Sequence, residues 1–244
     1  MPQFIHFDGL IYQVLLKFAQ IVHPMIEGSE KRAIAKYTNQ SQPMQPIFLI
    51  GAPRTGSTLV YQGITNSLDV KYIDNLMDIL HRNLFYGAKV SNFLFDSKPH
   101  NCFKSRFGNT FKYGLHAPSE SGRFWYQWIP RGKHFVDENE IDEKSTEAMK
   151  TVVEAIMKKY NKAIVFKNLA NSLRLKVIHR IFPQAKFIEI KRSPKATALS
   201  MLNARKRLHI HPDMWWGIKP PNYKNLENLD ELERVVKQIF YIKK

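Results

Sequence analysis

Cysteine is almost missing from this chain: Cys102 is the only one in 244 residues. That excludes an internal disulfide framework, points to a reducing, cytoplasmic setting, and predicts a buried apolar place for the lone thiol. Long uninterrupted hydrophobic runs are missing too. The opening FIHFDGLIYQVLLKFAQIV is broken by Asp8, Gln13, Lys17 and Gln20, and it has neither a basic leader nor a small-residue cleavage site. Secretion and membrane spanning are therefore not expected. Acidic residues are scarce beside basic ones, 21 against 37, for a formal charge of +16. Such an excess implies an anionic ligand or partner, but nucleic acid, an acidic polysaccharide and a polyphosphorylated nucleotide all satisfy it. Repeats, low-complexity tracts and glycine-serine linkers are lacking as well. One domain over residues 1–244 is expected, with 44% hydrophobic and 12% aromatic residues to fill its core.

What is present begins with a stripe. Phe4, Phe7, Ile11, Val14, Phe18 and Ile21 recur at alternating spacings of three and four, which predicts an N-terminal helix over 1–27. Packing on its own domain is the expected use of that stripe, with peripheral membrane contact or dimerisation through residues 4–22 as the alternative. The polar stretch 28–46 separates it from IFLI (47–50), a short apolar run bounded by Pro46 and Gly51 that reads as a buried strand. STLVYQGITNSL then reads as a helix. Residues 83–136 are crowded with aromatic side chains of no clean period, among them Phe85, Phe95, Phe107, Phe111, Phe124 and Trp128, and are expected to form a cover of helices and loops. DENEIDE (137–143) reads as a solvated connection, and Ser145 as the cap of the helix that follows. AIVF (163–166), a helix over NSLRLKVIHRIF, and KFIEI (186–190) complete a strand, helix, strand series. The expected fold class is α/β: a P-loop-type open, mainly parallel sheet covered by helices, with ligands beyond the carboxyl ends of the strands.

Three of those strand ends carry chemistry. The first runs into Gly51-Ala52-Pro53-Arg54-Thr55-Gly56-Ser57-Thr58, where glycines permit a tight turn and backbone N–H groups at a helix start face an anion. In the nucleotide triphosphatase version a lysine precedes the final hydroxyl residue and reaches the β- and γ-phosphates; here Ser57 takes its place and Arg54 is the loop's cation. AIVF runs into Lys167, an ammonium at the carboxyl edge of the sheet. KFIEI leads into Lys191-Arg192-Ser193-Pro194, with Ser193 suited to cap a helix and Pro194 to open it. From 186 to 207 the basic residues Lys186, Lys191, Arg192, Lys195, Arg205, Lys206 and Arg207 face a single acid, Glu189. Two anion sites on neighbouring strand ends suit a nucleotide phosphorylated at both its 5′ and 3′ positions.

Here the chain resembles the sulfotransferases that use 3′-phosphoadenosine 5′-phosphosulfate (PAPS), in particular the branch with many bacterial members and, more distantly, the tyrosylprotein sulfotransferases. GAPRTGST is similar to their 5′-phosphosulfate loop, FIEIKRSPKATALSML to their 3′-phosphate motif, and the lysine of VFKN falls where the family has one. The resemblance implies that Arg54, Thr55, Gly56, Ser57 and Thr58 hold the 5′-phosphosulfate and Arg192 and Ser200 the 3′-phosphate. KSRFGNT, PSESGRFW and WWGIKPPNY are also similar to segments of bacterial members, so the likeness runs in pieces over a nucleotide-binding core at 47–223. Family members usually continue beyond the helix read in LENLDELERVVKQIFYI, so a shortened C-terminal portion is expected.

The activity implied is in-line transfer of a sulfuryl group from PAPS to a hydroxyl or amine acceptor, leaving 3′-phosphoadenosine 5′-phosphate (PAP), with no metal required. Lys167, Arg54 and the loop N–H groups would stabilise charge on the leaving phosphate. Glu120 is the first choice of base, because related enzymes use a glutamate at a similar position; His116 is second, and a plain Glu120–Arg123 pair is the bland reading. The acceptor stays open among carbohydrate, lipid, peptide and small hydroxylated molecules. A P-loop kinase is the first competing function, disfavoured by Ser57. A non-catalytic nucleic-acid-binding protein is the second, and a nucleic-acid partner is not favoured.

Overall fold

The computed structural model describes residues 9–38 and 45–243. Helix α1 (Gly9–Thr38) opens the chain and runs on past residue 27, through much of the polar stretch read as a separator. Polar side chains do not end a helix when they find partners at helical spacing. Glu27 pairs with Lys31 at 2.6 Å, and buried Glu30 accepts from Asn83 Nδ2 at 2.7 Å and Tyr86 N at 2.9 Å. The expected packing of the apolar stripe is overturned. Ile11, Val14, Phe18 and Ile21 face outward, and Tyr12 on the other side is the buried residue; Phe4 and Phe7 lie outside the described residues.

Four parallel strands form the sheet: β1 (Ile47–Ile50), β2 (Lys71–Tyr72), β3 (Ile164–Lys167) and β4 (Lys186–Glu189), in the order β2-β3-β1-β4. The short β2 carries no periodicity and is not legible in the sequence. Register places Leu49 beside Lys167 and Ile50 beside Glu189, so the ends of β3, β1 and β4 are neighbours, as expected. The helices are α2 (Ser57–Ser67), α3 (Asn75–Ile79), α4 (Leu84–Leu94), α5 (Gly122–Trp125), α6 (Glu143–Tyr160), α7 (Leu175–Ile181), α8 (Pro194–Arg207), α9 (Tyr223–Leu226) and α10 (Glu231–Lys243). Asp142, not Ser145, caps α6: its carboxylate accepts from Ser145 N at 2.8 Å and Ser145 Oγ at 2.9 Å.

Phe48 on the central strand stacks on Phe166 and Phe187, with ring centroids 5.1 and 5.7 Å apart, and Trp125 leans on the same cluster. Much of the aromatic stretch 83–136 is therefore core rather than cover, since Phe85, Phe124 and Trp125 are fully buried in it. Even the acidic connection contributes Ile141. A second cluster, Ala198 and Met201 of α8 with Val235, Ile239 and Ile242 of α10, holds the last helix against the helix that follows β4. Cys102 is half-buried, with its Sγ 3.6 Å from the Lys104 carbonyl, not sequestered in the core.

Candidate active site

The loop after β1 is wound by backbone angles that its sequence permits. Gly51 has φ 141°, and a Cβ there would sit 2.6 Å from the Ile190 carbonyl oxygen, so only glycine lets the end of β1 pass the end of β4. Gly51 N donates to Ser172 Oγ at 2.8 Å, and that hydroxyl donates back to Gly51 O at 3.1 Å. Arg54 at φ 68° and Gly56 at φ 91° turn the chain into α2. Gly56 supplies no side-chain cap, which leaves the first-turn N–H groups of α2 turned to whatever anion arrives. Thr55 spends its hydroxyl inside the loop, on Ala52 O at 3.0 Å.

Beside the loop, β3 ends in Lys167, whose side chain is 1% exposed. Its Nζ donates to Thr58 Oγ1 at 3.0 Å and contacts Glu120 Oε1. Glu120 is held from behind, because Asn168 Nδ2 donates to its carbonyl at 3.2 Å and Ser121 takes the left-handed conformation at φ 51°. The pairing of Glu120 with Arg123 does not occur. Arg123 turns instead to buried Asp78 at 3.2 Å, which leaves the Glu120 carboxylate in the cleft.

The third strand end closes the arrangement. Arg192 Nη1 donates to Arg54 O at 3.0 Å, and Arg54 Nε donates to Ser200 Oγ at 3.2 Å. Burial, and then the charges of Arg192 and Arg207, push the Arg54 guanidinium below its ordinary value. Among the described residues none of these three arginines pairs with a carboxylate. Three converging cations without a counter-charge are costly to hold unless an anion joins them.

Arg54, Ser57, Glu120, Lys167, Arg192 and Ser200 all line one cleft of about 750 Å³. His116 does not. It lines a smaller, separate cavity of about 250 Å³, where it stacks on Phe95 at 4.0 Å and its Nε2 meets Tyr72 Oη at 2.9 Å. Burial pushes its pKa down to about 4. Arg205 also leaves the expected basic array: it is 2% exposed, pairs with Glu231 at 2.5 Å and donates to three carbonyls of residues 211–214, so it clamps α10 rather than an anion.

Gly108 is a cleft residue that sequence reasoning passed over. At φ 94°, an added Cβ would lie 3.0 Å from Glu120 Oε1, 3.5 Å from Thr58 Oγ1 and 3.6 Å from Lys167 Nζ. Its neighbour Phe107 lies 5.5 Å from the Arg54 guanidinium. His134, Arg207 and Trp216 line the same cleft. The clue was the FG pair in KSRFGNT, a turn signal whose reach toward Lys167 no sequence spacing reveals.

A glycine-framed loop, a buried lysine and an arginine-serine pair on three adjacent parallel strand ends coincide with a family match: the model described as sulfotransferase family covers residues 46–212, more than half of the chain. The chain belongs to the sulfotransferase family. It is 24% identical over 249 residues to omega-hydroxy-beta-dihydromenaquinone-9 sulfotransferase Stf3 of Mycobacterium bovis, and equally to the protein of that name from Mycobacterium tuberculosis. Each alignment covers 92% of this chain and 61% of the relative, so the chain spans about three fifths of their length. No solved structure matches it.

Proposed function

We propose that this protein transfers a sulfuryl group from PAPS to the hydroxyl of a lipid-like acceptor. The observation that carries the donor assignment is the uncompensated cluster of Arg54, bonded to Ser200 and through its carbonyl to Arg192, with Arg207 in the same cleft as Lys167. The β1 loop with Ser57 and Thr58 takes the 5′-phosphosulfate and Arg192 with Ser200 the 3′-phosphate. In the transfer the acceptor oxygen bonds to sulfur as the bond from sulfur to the bridging phosphate oxygen breaks. Negative charge grows on that phosphate oxygen, where Lys167, Arg54 and the loop N–H groups lower its energy. The proton of the acceptor hydroxyl passes to Glu120, the cleft carboxylate beside Lys167.

Support for a lipid acceptor comes from two directions. The relatives are named for a hydroxylated menaquinone, and Phe107, Tyr126, Trp216 and Ile218 give the cleft an apolar side. The experiment is a pair of measurements: thermal stabilisation by PAP in the absence of magnesium, and transfer of labelled sulfate from PAPS to a hydroxylated isoprenoid quinone. Stabilisation only by ATP with magnesium would sink the donor assignment in favour of a kinase. Labelling of a sugar hydroxyl in preference to the quinone would remove the lipid.

A further inference from the structure

Helix α1 is apolar on both sides. Its inner side carries Tyr12, whose ring meets Phe111 with centroids 3.7 Å apart, together with half-buried Leu15, Leu16, Ala19 and Val22. Its outer side presents Ile11, Val14, Phe18, Ile21 and Met25, from 43% to 79% exposed. Exposed Gln13, Lys17 and Gln20 form a polar strip between the two sides, but a contiguous exposed apolar row of this length ordinarily marks a contact surface. The row Leu232, Val236 and Phe240 on α10 is also exposed, but a Glu233–Lys237 pair at 2.8 Å runs alongside it, as on an ordinary solvated face. On α1 the comparable pair, Glu27–Lys31 at 2.6 Å, lies beyond the end of the row. From residue 9 to 26 its one formal charge is Lys17, and it has no carboxylate there.

A second copy of the chain and a lipid bilayer would both cover such a row, and charge decides between them. Pairing two α1 helices would bring together two chains of charge +16 and set Lys17 against a surface with no acid to meet it. An anionic bilayer offers the opposite sign to Lys17, to exposed Arg32 and Lys36 further along the helix, and to the whole molecule. Among the described residues no helix is long and apolar enough to cross a membrane, so α1 would lie on the surface. No described α1 residue lines the cleft, but Tyr12 touches segments that supply its lining: Phe111 follows Gly108 by three residues, and Arg123, whose guanidinium lies 4.8 Å from the Tyr12 ring, adjoins Gly122.

We propose that the outer face of α1 docks the protein on an anionic lipid bilayer, placing the cleft beside the headgroups from which an acceptor hydroxyl enters. The entry of a lipid acceptor rests on the function proposed above; the docking does not. The test is co-sedimentation of the full chain with vesicles of phosphatidylcholine alone or of phosphatidylcholine with phosphatidylglycerol. Binding is expected to the anionic vesicles, to weaken as salt rises, to fall about tenfold or more in Phe18→Asp/Ile21→Asp, and to survive in Phe18→Leu. The thermal shift given by PAP should be unchanged in every variant, which shows the fold and donor site intact. Wild type that fails to sediment with anionic vesicles overturns the proposal. So does equal binding by the double variant, or a concentration-dependent dimer that Phe18→Asp breaks. Vesicle binding without a PAP shift would uphold docking while removing the donor reading.

Discussion

Arg54 Nε donates to Ser200 Oγ at 3.2 Å across 146 positions of chain, and it is the only direct side-chain bond described between the β1 loop and α8. With Arg192 holding the Arg54 carbonyl at 3.0 Å, the two proposed anion sites share one arginine. Arg54→Ala and Arg192→Ala should therefore each weaken PAP binding, by about 10- to 100-fold as charge-assisted bonds of roughly 1.5–3 kcal/mol are lost. Their effects should fall short of additive, because each variant also loosens the other's residue. Calorimetric titration of the two single variants and the double variant decides it; full additivity would mean two independent sites.

Lys167 stands between Thr58 on the loop and Glu120 on the opposite wall, where the proposed reaction brings donor and acceptor together. Lys167→Met keeps the volume and removes the cation, and kcat for sulfuryl transfer should fall about 10²- to 10³-fold. Glu120→Gln should cost kcat about 10²- to 10⁴-fold if its carboxylate takes the acceptor proton. PAP affinity in Glu120→Gln should stay near wild type, since that side chain is proposed to serve the acceptor and not the donor. A variant that binds PAP poorly but turns over normally at saturation would move Glu120 out of the chemistry.

Gly108 tests how tightly that centre is packed. A methyl group there meets Glu120 Oε1 at 3.0 Å on a backbone with φ 94°. Gly108→Ala should lower stability by about 1 kcal/mol through the positive φ and lower kcat more than it raises the Kd for PAP, because the added carbon displaces Glu120 rather than the arginines. Melting temperature and single-turnover rates separate the two effects. Unchanged turnover in a destabilised protein would show that Glu120 has room to yield.

The convergence of β1, β3 and β4 was legible in the sequence because short apolar runs bounded by glycine and proline, followed by polar turn residues, leave few alternatives to a parallel sheet. That Arg54, Lys167 and Arg192 are neighbours followed from that topology, whereas Ser200 came from the resemblance of the segment after β4 to the sulfotransferase 3′-phosphate motif. Four features were not legible for physical reasons. The two-residue strand β2 is too short to show a period. The side of α1 that packs could not be told from the other, since both are apolar. His116 and Glu120 lie only four residues apart, but the left-handed turn at Ser121 and the Asn168 bond fix Glu120 in the cleft, while stacking on Phe95 draws His116 into another cavity. Arg205 reads as one more cation of a basic helix, and only the return of residues 211–214 and α10 reveals its four partners.

That placement of His116 gives a prediction about acid. Burial, more than neighbouring charge, holds His100, His116 and His134 each at about 4 against an ordinary 6.5. Between those values the unfolded chain binds more protons than the folded one, so stability rises with pH there. It is complete above about 6.5 and is lost progressively as pH falls toward 4. Asp74 acts with the opposite sign: burial raises its carboxyl from 3.8 to about 7, so its contribution is complete below about 3.8 and lost as pH climbs through 7. The two effects therefore oppose each other between about pH 4 and 7: the three histidines make the melting temperature rise with pH on this acid limb, Asp74 makes that rise shallower, and above about 7 neither changes it further. After discounting for partial solvent access, each histidine is worth on the order of 1–2 kcal/mol. His116→Gln, which can still accept from Tyr72 Oη, should flatten the acid limb, and Asp74→Asn, which keeps an oxygen for the N–H of Met77, should steepen it. An acid limb of equal slope in wild type and His116→Gln would show that His116 takes up its proton within the folded state.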